Sequence, residues 1–209
     1  MNSDLLKYES SLWALGLNKI VGIDEAGRGP LAGPLVAAAV IMPTNPIIEQ
    51  INDSKKLSEK RREELFFKIK EIAVDYCISV INADVIDKVN ILNAAKKAFL
   101  TSAEGLKTES YIIYTDAMPL NKELKHSELI KGDAKVYNIA AASILAKHTR
   151  DQIMCAYSEL YPEYNFDKHK GYGTKEHKEK IKKCGICPIH RKTFLTNILN
   201  EQITFNCIE

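Results

Sequence analysis

Eight consecutive apolar residues, Leu35 to Met42, constrain the fold of this chain most. The run is far shorter than the roughly 20 residues of a membrane span, so it reads as a strand buried on both faces. A turn rich in Gly and Pro precedes it: Gly27-Arg28-Gly29-Pro30-Leu31-Ala32-Gly33-Pro34. Before the turn, the β-branched residues Ile20, Val21 and Ile23 predict a strand that stops at Asp24. A core of this kind needs enough chain around it. At 209 residues, with 45% hydrophobic and 27% charged, the sequence suits one domain, or one domain with a small appendage. Ten glycines in total exclude a collagen-like fibre.

Further elements follow from spacing. Ser58 marks a helix start, with Leu65, Phe66, Ile69 and Ile72 at helical intervals. Val74 to Ile81 predicts a strand, Ile86 to Leu100 one helix, and Tyr111 to Tyr114 a short buried strand running into Asp116. Val136, Ile139, Ala140, Ser143, Ile144 and Lys147 share a helical face, and Ala140-Ala141-Ala142-Ser143 is small enough for close approach to a sheet. From about Tyr161 the chain becomes basic and aromatic, which places a soft boundary near 155–160. The expected division is a body over 1–157 and a smaller helical extension over 158–209.

Acids on otherwise apolar strands are the main chemical signal. Asp24 and Glu25 close one strand, Asp116 closes another, and Asp133 precedes the small-residue helix. Carboxylates at such places usually meet cations, caps or salt bridges. Hard divalent cations take oxygen ligands, and a pair of them can clamp both oxygens of a phosphoryl displacement. The alternative is four separate acids with Asp133 as a helix N-cap, and spacing alone leaves both open. Beside these acids, Gly27-Arg28-Gly29 allows a phosphate or sugar to approach the backbone. It matches neither the dinucleotide-binding nor the Walker A pattern.

Five blocks in order are more specific than any one of them. Gly22-Ile23-Asp24-Glu25-Ala26-Gly27-Arg28-Gly29, with Leu31-Ala32-Gly33-Pro34, resembles the signature of the ribonuclease HII family, the prokaryotic type 2 ribonucleases H. Asp53-Ser54-Lys55-Lys56-Leu57 is similar to the family's second block, and Lys131-Gly132-Asp133 through Lys147 with Arg150-Asp151 to its third. His169-Lys170-Gly171-Tyr172-Gly173-Thr174 with His177, then His190-Arg191 and Phe194, resemble the last two. The resemblance runs from about Tyr8 to about Leu199. Ala117, Asn138 and Thr193 depart from it: the family usually has glycine at the first position, and serine is common at the other two.

The resemblance implies an α/β fold, an RNase H-like mixed sheet flanked by helices, with a small helical C-terminal extension. It implies that Asp24, Glu25, Asp116 and Asp133 bind two divalent ions, Mg²⁺ or Mn²⁺. It implies that Gly27, Arg28 and Gly29 read a ribose 2′-hydroxyl and that Tyr172 senses an RNA–DNA junction. The expected reaction cuts on the 5′ side of a ribonucleotide in RNA–DNA hybrids or in duplex DNA. It leaves a 3′-hydroxyl and a 5′-phosphate and removes misincorporated ribonucleotides. Lys55, Lys147 and Arg150 are further candidates for phosphate contact, with structural packing the alternative for each. The lysines from Lys168 to Lys183 would hold phosphates, or form a solvated face with Glu176 and Glu179.

Two other classes fit the same residues: another two-metal nuclease of this fold, and a non-catalytic nucleic-acid-binding module. A net charge of +2 decides between none of these. The start, MNSDLLKYESSLW, has no basic stretch followed by an apolar run, so a cytoplasmic protein is expected. A monomer with no obligate protein partner and no membrane association is expected too. Five cysteines with a single CxxC, Cys184 to Cys187, suit reduced structural thiols.

Overall fold

The computed structural model describes residues 5–52, 54, 57–109, 112–116, 118–119, 126–129, 132, 135–196 and 198. The apolar run forms β2 (Leu35–Ile41), with every residue at 0% exposure. It lies between β1 (Ile20–Ala26) and β3 (Asp75–Ile81) and pairs antiparallel with both. β4 (Ile112–Asp116) and β5 (His126–Leu129) add on the far side of β1, each parallel to its neighbour, giving the order β3-β2-β1-β4-β5. Period-two alternation explains why β2 has no polar face. Val36, Ala38 and Val40 face α2 (Glu59–Ile72) and α5 (Tyr137–Leu160). Leu35, Ala37, Ala39 and Ile41 face α4 (Ile91–Glu104).

The 24-residue α5 is the central support of the sheet. Its close approach depends on Gly22, where an added Cβ would sit 2.1 Å from the carbonyl carbon of Asn138. The small run Ala140–Ser143 follows on the same buried helix. Asn138 closes the helix start from two sides. Its side-chain oxygen accepts the Met42 N–H at 2.7 Å, and its own N–H donates to Glu9 at 3.0 Å. Glu9 belongs to α1 (Lys7–Trp13), a helix that the periodicity did not single out.

Ser58 caps α2 as expected, its hydroxyl accepting the Arg61 N–H at 3.3 Å. The single helix expected over Ile86 to Leu100 is instead two, α3 (Ala83–Val89) and α4. Asn90 breaks it with a φ of 65°, and its side chain accepts the Asn93 N–H at 3.0 Å, which starts α4 afresh. β5 was not anticipated. The chain leaves α5 at Leu160 and makes α6 (Phe166–His169) and α7 (Lys175–Cys184). Tyr164, Phe166, Ile181 and Leu195 form a small core there that closes onto Ala32 and Met154 of the body. Among the described residues no helix is long and apolar enough to cross a membrane.

Candidate active site

Strand register brings the first acids together. β1 continues two residues beyond Asp24, because Glu25 and Ala26 still pair with Ala37 and Val36 of β2; the expected stop at Asp24 is corrected accordingly. On the other side, Ile23 pairs with Thr115, so Asp24 and Asp116 stand at the same level of adjacent parallel strands. Asp24, Glu25 and Asp116 line one pocket of about 260 Å³. Gly27, Arg28, Gly29, Lys147 and Tyr172 line it too. Asp133, Lys55 and Ala117 lie outside the described residues; the N-cap position of α5, which the alternative gave to Asp133, is held by Val136.

Asp24 is only 6% exposed. Burial holds its carboxyl well above the usual carboxylate range, the neighbouring charge of Glu25 adds to this, and Asp116 adds further. A hydrogen bond from Ser143 works in the opposite direction. Ser143 in turn shares a 2.8 Å hydrogen bond with Ser54. Oδ1 of Asp116 accepts the Gly132 N–H at 2.8 Å, which ties the residue before Asp133 to the second strand.

Oxygen-only donors whose like charges crowd Asp24 suit a hard divalent cation, whose binding would relieve that repulsion. Among the described residues, no three His, Cys, Asp or Glu side chains are already drawn into metal-holding geometry. The carboxylates fit such an ion by chemistry and by shared pocket.

The glycine turn forms the opposite wall. Gly27 has a φ of 102°, and a Cβ there would fall 2.3 Å from Nε of Arg150. Two buried arginines hold the turn from behind. Arg191 donates to the carbonyls of Gly27 (2.7 Å), Arg28 (3.0 Å) and Gly33 (3.0 Å). Arg150 donates to those of Pro34 (2.9 Å), Ala32 (3.2 Å) and Lys170 (3.0 Å). This corrects the phosphate-contact expectation for Arg150: it is fully buried, and its donors are engaged by the backbone. Arg28 is the turn's outward cation, with Nη1 3.3 Å from Glu25. Lys147 keeps a wall position and pairs with Asp151 at 2.6 Å.

Tyr172 is 45% exposed and overhangs the turn. A Cβ built on Gly29 would lie 3.9 Å from its ring, and the Arg150 guanidinium lies 5.8 Å from the ring centre. A second cleft of about 230 Å³ opens beyond Gly33 and Pro34, between Asn82–Asp84 and Pro188–Ile189, and holds none of the candidate site residues. Cys184 and Cys187 are unbridged thiols, and Cys187 Sγ lies 3.1 Å from His190 Nδ1.

Three comparisons bear on this arrangement. The family model described as Ribonuclease HII matches residues 21–197. The chain belongs to the ribonuclease HII family. A relative from Ruminiclostridium cellulolyticum, itself a ribonuclease HII, is 53% identical over 93% of this chain and 77% of its own length. Among solved structures, ribonuclease H2 from Pyrococcus horikoshii superposes with a TM-score of 0.74 at 28% identity, over 88% of this chain and 98% of that one. Ribonuclease HII of Archaeoglobus fulgidus, solved in a complex with PCNA, gives 0.71 at 26% identity, over 86% and 96%. The fold is thus RNase H-like, and the enzyme class is type 2 ribonuclease H.

Two of the departures from the ribonuclease HII pattern, Thr193 and Asn138, have local explanations. Thr193 keeps a hydroxyl that donates to Asp87 at 2.6 Å. Asn138 serves both Met42 and Glu9, as described above. Ser143 and Arg191 stood inside the matched blocks without an assigned role. Their signal was the block itself, since neither a buried serine nor a buried arginine stands out by residue type.

Proposed function

We propose that this chain hydrolyses the phosphodiester on the 5′ side of a ribonucleotide, in RNA–DNA hybrids and in duplex DNA with embedded ribonucleotides. The products are a 3′-hydroxyl and a 5′-phosphate. One observation carries the reading: a single pocket joins three strand-borne carboxylates to a backbone turn and an overhanging tyrosine. Catalysis needs the first group, and telling RNA from DNA needs the second.

Asp24, Glu25 and Asp116, with Asp133, are the proposed ligands for two divalent ions, Mg²⁺ or Mn²⁺. When bound, such ions lower the pKa of water and neutralise charge on the leaving oxygen. The protein's own groups then position. The Gly27–Gly29 backbone offers amides and carbonyls to a 2′-hydroxyl, the group that separates RNA from DNA. Arg28 and Lys147 face the phosphate backbone, and Tyr172 stacks on the sugar or base of the following deoxynucleotide. Lysines along α6 and α7 extend the contact and make affinity salt-dependent. The enzyme acts as a cytoplasmic monomer with nucleic acid as its partner and serves ribonucleotide removal.

The test is cleavage of a labelled DNA duplex carrying one ribonucleotide, with Mg²⁺, Mn²⁺ or chelator, beside an all-DNA duplex. The expected result is a metal-dependent cut 5′ of the ribonucleotide and none in the control. Cutting of both duplexes would replace this reading with a general two-metal nuclease. Binding without cutting would replace it with a non-catalytic module.

A further inference from the structure

The glycine turn and the Tyr172 loop come from distant parts of the chain; the Leu31 N–H joins them directly at Gly171 (2.8 Å), and residues 189–191 link them a second way, through His177. Residues 189–191 hold the Gly27–Pro34 turn through backbone and side chain. Ile189 accepts the Gly33 N–H at 2.8 Å, and the Arg191 N–H donates to Leu31 at 2.8 Å. The Arg191 guanidinium binds three carbonyls of the same turn. From the middle of the segment a side-chain chain runs the other way. His190 Nε2 lies 3.1 Å from His177 Nε2, and His177 Nδ1 lies 2.9 Å from the carbonyl oxygen of Tyr172.

One proton arrangement serves all of these contacts; a proton on His190 Nδ1, toward the Cys187 carbonyl at 3.3 Å, would instead leave two lone pairs facing each other between the Nε2 atoms. The Tyr172 carbonyl only accepts, so His177 carries its proton on Nδ1 and accepts at Nε2. His190 therefore donates from Nε2, and its Nδ1 accepts the Cys187 N–H at 2.9 Å. Both imidazoles are neutral and buried, at 0% and 2% exposure. Neither reaches the pocket wall, so neither is a catalytic residue.

We propose that His177, through His190, is a positioning residue that fixes Tyr172 at its height above the ribose-reading turn. With Arg191, the three make a brace that sets the gap between the two reading walls. The inference rests on the proposed function, because it assigns the brace to selection of a ribonucleotide junction.

The test compares His177→Asn, which retains an amide donor toward Tyr172, with His177→Leu, which does not. KM and kcat are measured on the single-ribonucleotide duplex, each variant's melting temperature is taken, and ¹⁵N spectra of wild-type imidazoles report the protonated nitrogen. The expected spectra show His177 protonated on Nδ1 and His190 on Nε2. Expected kinetics are a rise in KM of about tenfold in the Leu variant, exceeding its change in kcat, and recovery of most of that rise in the Asn variant. Asn behaving no better than Leu, or both histidines protonated on Nε2, would overturn the brace. If the Leu variant does not fold, the spectra and the Asn variant's KM against wild type decide in the same way. A wild-type enzyme that cuts no ribonucleotide duplex would refute the proposed function. A wild type that cuts, with KM unmoved in both variants, would refute the brace alone.

Discussion

The two ends of the pocket treat buried charge in opposite ways. At the carboxylate end, Asp24 is buried beside Glu25 and level with Asp116, and its proton affinity is raised by burial and like charge. At the glycine-turn end, Arg150 and Arg191 are also buried, yet six hydrogen bonds place their donors on backbone carbonyls. Burial still lowers the Arg191 pKa to about 9, with Arg150's charge the second cause. One end is thus in electrostatic tension that a cation would relieve. The other is built before substrate arrives. An enzyme that must select a 2′-hydroxyl gains from a rigid reader, and one that uses metal gains from ligands whose repulsion favours metal entry.

The comparison can be broken at either end. The largest expected effect is on chemistry. Asp116→Asn is expected to reduce single-turnover cleavage by more than about 10²-fold. Duplex binding, measured separately, should stay within a few-fold of wild type. Comparable losses in both would remove Asp116 from the ligand set.

At the glycine-turn end, Arg191→Lys keeps charge but loses the planar fork. Carbonyls left without donors should cost about 2–3 kcal/mol, a fall in Tm of roughly 4–12 °C for a chain of this size. A Tm within about 1 °C of wild type would mean that the fork does not hold the turn.

The histidine pair gives a pH signature. Burial lowers His177 and His190 from 6.5 to about 4. Between those values the unfolded chain binds more protons than the folded one, so stability falls as pH drops from about 6.5 to about 4. Thermal melts across that window should lose part of this slope in a His177→Asn/His190→Gln double variant. An unchanged slope would contradict the neutral, buried pair.

Asp24 has the opposite sign. Its raised pKa means that the folded state binds the extra proton, so its burden on stability grows as pH rises through the shifted range. Without metal, Asp24→Asn should therefore melt a few degrees higher than wild type at pH 7.5, with the gain shrinking on acidification. A lower Tm at pH 7.5 would show that Asp24 is settled by its neighbours. Smallest in stability is Tyr172→Ala, expected within about 2 °C of wild type while losing preference for a ribonucleotide junction. A large fall in Tm would make Tyr172 a packing residue.

Much of this was legible in order and spacing. The run Leu35–Met42 announced a doubly buried strand because eight apolar residues leave no solvent face. Asp24, Glu25 and Asp116 could be singled out because acids are conspicuous on apolar strands. Arg150 misled because a basic residue near a nucleic-acid site suggests phosphate, whereas its position on α5 buries it beneath the turn. The helix over Ile86 to Leu100 misled because its apolar spacing continues through Asn90, while the break is a backbone conformation that spacing does not encode. His177 and His190 lie thirteen positions apart and meet only because the chain turns back after α7, so nothing local announces their hydrogen bond.

Asp116→Asn and Arg191→Lys on one duplex carrying a single ribonucleotide, with its all-DNA counterpart as competitor, test the division of labour most directly. Binding discrimination and single-turnover rate are measured for both variants. The division predicts that Asp116→Asn keeps discrimination and loses rate, while Arg191→Lys loses discrimination and keeps most of its rate once bound. Both variants losing the same quantity in the same proportion would contradict it.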